Sequence, residues 1–146
     1  MAEGLARAFH GEVIDVVSAG SRPAGWVHPL AIGALAEIGI DIRDAESKSA
    51  EEFLDQPFDV VVTVCDSAAQ DCPLWPGAKR IEHWPIEDPT WGEGSGAARF
   101  AATRDDLKVR IEELVARWGE VGSARGAKTF SREDAKTRRH EGESNP

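Results

Sequence analysis

Residues 57–65 read PFDVVVTVC. Val60 to Val64 are all β-branched, with no polar interruption except the threonine hydroxyl. An unbroken run of this kind predicts a strand covered on both faces, the pattern of a parallel sheet. Parallel strands are joined by helical crossovers, so helices are expected on either side of it. On the amino-terminal side, SKSAEEFLDQ (47–56) reads as a short helix, with Ser49 as cap and Glu52 three residues on. Before that, HPLAIGALAEIGI (28–40) carries Leu30, Ala34 and Ile38 on one stripe, with Pro29 at the entrance and Gly39 at the exit. EVIDVV (12–17) predicts another strand, ended by Ser18-Ala19-Gly20. Ala2–Phe9 gives a first helix, with Leu5 and Phe9 one turn apart.

On the carboxyl side, KRIEH (79–83) predicts a weaker strand and WPIEDPTWGEGSG (84–96) a loop. Residues 97–118 form a long amphipathic helix with Phe100, Leu107, Ile111, Leu114 and Trp118 on one face. The polar, Gly/Ser-rich stretch after Gly119 lacks apolar periodicity and reads as a disordered tail. The expected organisation is one α/β domain over 1–119 and a tail over 120–146. The first helix has no strand ahead of it. A parallel sheet would expect one before Met1.

The chain has 146 residues, enough to bury a core without disulfides or metals. Its formal net charge is −9, which disfavours general nucleic-acid binding and anionic membrane surfaces. No stretch approaches a membrane span, and no basic start leads into an apolar run. Only two cysteines are present, so no disulfide framework is expected, and a reducing cytoplasm is the expected compartment.

Those cysteines carry the most chemistry. Cys65 ends the best strand, and the carboxyl ends of parallel strands are where ligands bind in open α/β sheets. Cys72 follows seven positions later. That spacing fits neither a zinc knuckle nor a C-x-x-C redox motif. In a helix, seven residues would separate the Cα atoms by about 10 Å. A disulfide needs them within about 7 Å, so a bond between these two requires the segment to rearrange. Two readings stand: a conformationally gated redox pair, or two unrelated cysteines of which one is buried. Asp88 also has two readings. Before Pro89 it is a rigidly placed carboxyl suited to general acid work, and it is equally a common turn starter. His10, His28, His83 and His140 have no metal-ligand spacing.

Taken in order, MAEGLAR (1–7), SAG (18–20), HPLAIGALAEIGIDI (28–42), SKS (47–49), FDVVVTVCDSA (58–68), CP (72–73) and HWPIEDP (83–89) resemble the thioredoxin-coupled arsenate reductases. These share the low-molecular-weight protein tyrosine phosphatase fold, and the resemblance covers residues 1 to about 118. It implies a three-layer α/β sandwich with a short parallel sheet. It also implies a cysteine relay. A first cysteine in a C-x5-R loop attacks arsenate. The carboxyl corresponding to Asp88 helps water leave. Cys65 then displaces arsenite, Cys72 closes a disulfide onto Cys65, and thioredoxin reduces it. No bound cofactor or metal is implied.

The same resemblance places the C-x5-R loop and a central strand ahead of MAEGLAR, so neither is expected within these residues. Some members bind potassium through residues corresponding to Glu3 and Ser18 together with an acidic residue. Lys48 stands near that acidic position, and its ammonium is expected to replace the ion. A tyrosine phosphatase of the same fold would usually carry a tyrosine soon after the aspartate-proline pair, and this chain has no tyrosine at all. A catalytically inactive redox-sensing or binding protein is the remaining alternative.

Overall fold

The computed structural model describes residues 1–20, 23, 25–64 and 75–120, with the last two of these by backbone alone. Its helices are α1 (Ala2–His10), α2 (Pro29–Ala36) and α3 (Gly96–Glu120), and its strands β1 (Val61–Thr63) and β2 (Ile81–His83). A short 3-10 turn spans Ala50–Glu52. The strands pair in parallel, with Val61 opposite Ile81 and Thr63 opposite His83. Val61 N–H donates to Arg80 O at 2.9 Å, and Trp84 N–H to Thr63 O at 2.9 Å. The parallel contact reaches back to Phe58, whose N–H donates to Gly77 O at 3.0 Å.

Alternation along β1 builds two apolar layers. Val60, Val62 and Val64 point into the larger core with Leu5, Leu35, Phe100, Leu107 and Ile111, which belong to the three helices. Val61 points the other way, among Phe58, Ala50, Ala19 and Trp75. β1 is therefore buried on both faces, as its β-branched run requires, while Ile81 and His83 of β2 are exposed. This is the three-layer α/β arrangement.

Helix boundaries follow local chemistry. His28 caps α2: its ring Nδ1 accepts from Leu30 N–H at 3.0 Å, and its ring stacks on Phe100 with centroids 4.7 Å apart. Pro29 takes the first helical position, where an N–H is not needed. At the other end Gly39 has φ of +81°, which lets Ile40 N–H reach Leu35 O at 2.9 Å and Gly39 N–H reach Ala36 O at 3.0 Å. These two bonds cap the last carbonyls. Gly4 lets α1 lie against the side chains of Ile42 and Leu35. A Cβ there would stand 2.7 Å from the Ile42 side chain and 3.2 Å from that of Leu35. Arg104 of α3 is buried and bridges to α2, donating to Ala34 O and to Glu37, each at 2.8 Å.

One expected element differs. Residues 12–17 do not form a strand. Ile14 and Val16 are buried and Asp15 is exposed, so the alternation of an extended chain is kept. No backbone hydrogen bond joins this segment to β1 among the described residues. Instead α1 side chains hold it: Arg7 donates to Val16 O at 3.0 Å, and Glu3 accepts from Ser18 N–H at 2.8 Å. Ladder pairing begins only at Gly20, which bridges to Ser49 in parallel. The expected helix at 47–56 is the single 3-10 turn, capped by Ser49 as its sequence indicates. The expected tail lies outside the described residues beyond Glu120.

Candidate functional site

Because β1 and β2 are parallel, both carboxyl ends open on the same edge of the sheet. β1 leads through Val64 toward Cys65, and β2 leads through Trp84 into the loop that holds Asp88. Cys65 and Cys72 themselves lie outside the described residues. At this edge Thr63 Oγ1 and His83 Nδ1 are 2.9 Å apart, one on each strand.

Asp88 is half-buried and opens a turn, as its turn-starter reading expects. Its backbone carbonyl accepts from Trp91 N–H at 3.2 Å, closing a turn with Pro89 at the second position. Its side chain caps that turn: Oδ1 accepts from Thr90 N–H at 2.9 Å and lies 2.6 Å from Thr90 Oγ1. Arg99, from the first turn of α3, braces the loop from behind. Its Nε donates to Pro89 O at 2.9 Å, and its Nη1 reaches Glu93 O and Gly94 O. Thr90 and Arg99 were not singled out from the sequence. The Asp-Pro-Thr order was the available signal for Thr90, since Asx turns favour a donor two residues on. Arg99 had none, because its partners are carbonyls.

A second polar cluster sits at the start of α1. The Glu3 carboxylate accepts from Ser18 N–H and Oγ, pairs with Lys48 at 3.1 Å and with Arg7 at 2.8 Å, and is 13% exposed. Burial works against its ionisation, but the Ser18 hydrogen bonds and then the charges of Lys48 and Arg7 outweigh that and hold the carboxyl below its ordinary value. Lys48 thus supplies the positive charge facing Glu3. Together they leave a carboxylate already neutralised by an ammonium, a donor set that does not fit a potassium ion. A cleft of about 350 Å³ opens beside this cluster. Glu3, Asp41, Asp44 and Glu46 line it against the single guanidinium of Arg7, which itself pairs with Glu3, so it is ill suited to an oxyanion. No group of three or more metal-ligating side chains is placed to hold a metal among the described residues. No helix among them is long and apolar enough to cross a membrane.

The model of a known family, low molecular weight phosphotyrosine protein phosphatase, matches residues 1–124. The chain is 40% identical over 115 residues to an arsenate reductase of Halalkalibacterium halodurans, covering 77% of this chain and 82% of that one. It is 40% identical over 114 residues to an arsenate reductase of Staphylococcus xylosus, covering 78% and 84%. An arsenate reductase of Bacillus subtilis is 35% identical over 117 residues, again covering 78% and 84%. Among solved structures, one of an arsenate reductase in the phosphate binding state superposes with a TM-score of 0.67 at 34% identity, over 80% of this chain and 86% of that one. A reduced-state arsenate reductase superposes with a TM-score of 0.62 at 36% identity, over the same shares.

Proposed function

We propose, from the premise that this chain belongs to the low molecular weight phosphotyrosine protein phosphatase family, that it acts as an arsenate reductase. The observation that carries this reading is the Cys65–Cys72 pair directly after β1, in a chain 40% identical to arsenate reductases. A phosphatase of this fold has no use for such a pair.

The chemistry assigns a role to each residue. A cysteine thiolate in a C-x5-R loop attacks the arsenic of arsenate. A sulfur–arsenic bond forms, and an arsenic-bound hydroxyl leaves as water with a proton from Asp88. The Cys65 thiolate attacks that sulfur. The sulfur–arsenic electron pair passes to arsenic, which departs as arsenite, and a disulfide to Cys65 remains. The Cys72 thiolate then attacks Cys65, frees the first cysteine and leaves a Cys65–Cys72 disulfide. A thioredoxin dithiol reduces that disulfide and is oxidised in turn. Within the 146 residues neither cysteine is followed by an arginine at the C-x5-R spacing, since Asp71 and Ala78 hold those positions.

The test is coupled turnover of arsenate with thioredoxin, its reductase and NADPH. It compares the 146-residue chain with the same chain carrying a C-x5-R segment ahead of Met1. Turnover in the loop-bearing protein, lost in Cys65→Ser and in Cys72→Ser, supports the reading. Hydrolysis of an aryl phosphate with no arsenate turnover would replace it with a phosphatase. No turnover, but a thioredoxin-reducible Cys65–Cys72 disulfide, would replace it with a redox-sensing or binding protein.

A further inference from the structure

We infer that Thr90 is a positioning residue for Asp88, and that it fixes which carboxyl oxygen carries the proton Asp88 donates, in a loop that Arg99 braces. This rests on the reading of Asp88 as the acid above. The Thr90 backbone N–H can only donate, and it points at Oδ1 from 2.9 Å. The Thr90 hydroxyl closes on the same oxygen at 2.6 Å. The Thr90 N–H and hydroxyl both donate to Oδ1 and take up its two lone pairs, so an acidic proton has no place there. The transferable proton is thereby assigned to Oδ2. It leaves Oδ2 for the arsenate hydroxyl, which departs as water, and the carboxylate left behind keeps both Thr90 bonds on Oδ1.

Rotation of the acid would turn its hydroxyl onto the Thr90 donors, and the loop holds the backbones of Asp88 and Thr90 in the register that opposes this. Pro89 is buried, restricts the backbone at Asp88, and offers its carbonyl to Arg99 Nε. The rest of the Arg99 guanidinium reaches Glu93 O and Gly94 O, so one planar group ties both arms of the loop to α3. Gly92 sits against the Arg99 stem, where a Cβ would be 3.3 Å from Cδ. The acid is therefore oriented by the end of a rigid helix.

Two experiments test this, and the first needs no turnover. An asparagine at 88 imitates the acid protonated on Oδ2, with a carbonyl oxygen for Thr90 and an N–H at the other position. Amide hydrogen exchange at Thr90 is measured in the 146-residue wild type, Asp88→Asn and Asp88→Ala. The expected result is equal protection in wild type and Asp88→Asn, and exchange about tenfold faster in Asp88→Ala, the size of one lost hydrogen bond. Exchange in Asp88→Asn as fast as in Asp88→Ala overturns the assignment. The second uses the loop-bearing protein of the turnover assay. Thr90→Ala is expected to lower kcat about tenfold with KM for arsenate unchanged, and Thr90→Ser to restore it. Undiminished kcat in Thr90→Ala, or a loss that Thr90→Ser does not restore, overturns the role of Thr90. A wild type that reduces no arsenate overturns the reductase reading instead, while the exchange data still decide whether a neutral side chain at 88 keeps its oxygen on Thr90.

Discussion

Glu3 shows how one residue can organise several others. Its carboxylate gathers Ser18, Lys48 and Arg7, and its folded-state ionisation lies below the ordinary value of 4.5. A carboxyl depressed by folding contributes stability above its unfolded value and loses it as pH falls through the folded one. The urea midpoint should therefore fall on acidification below about pH 4.5 more steeply in wild type than in Glu3→Gln. Lys48 carries a second prediction. With its ammonium 3.1 Å from Glu3, potassium has no place there, and the melting temperature should be the same in potassium and choline chloride. Lys48→Asp should create a potassium-specific rise, and a rise already present in wild type would contradict the placement. Glu3 and Ser18 were legible in the sequence through a resemblance. The same resemblance set Lys48 beside them, and the fold closes that pair at 3.1 Å across 45 residues of chain.

At the scale of elements, α2 depends on its ends. His28 caps it with a ring nitrogen and stacks on Phe100 of α3, so His28→Ala should cost about 1 kcal/mol or more, while His28→Asn should recover most of the cap. Arg104 closes the other end by donating to Ala34 O from α3. Arg104→Ala should lower stability by about 2 kcal/mol in chemical denaturation, because it leaves the carbonyl unpaired and removes a charged hydrogen bond. The helices were legible because stripe, proline and glycine punctuation all act within a few residues. The segment 12–17 was misread for the opposite reason. Alternating Ile14 and Val16 signal extended chain, and the burial pattern keeps that promise. A strand also needs a partner's backbone, and here Arg7 and Glu3 side chains take that part.

For the whole molecule, the decisive feature is β1, buried between two apolar layers. Leu107 is fully buried where α3 meets the core, and Leu107→Ala should cost about 2–5 kcal/mol with an unchanged denaturant slope. The β-branched run, the helix stripes and the cysteine spacing are properties of chain order. They act over short distances, so chain order was enough for the α/β class and most elements, while the candidate chemistry of Cys65, Cys72 and Asp88 came from the family resemblance. The fold alone brings Arg99 onto the Asp88 loop, sets Thr90 on one carboxyl oxygen, and closes the Lys48–Glu3 pair to 3.1 Å. Two of these depend on side chains meeting main-chain or charged groups presented by other parts of the fold. The Thr90 contact is local, but its orientation follows from a loop whose shape α3 imposes.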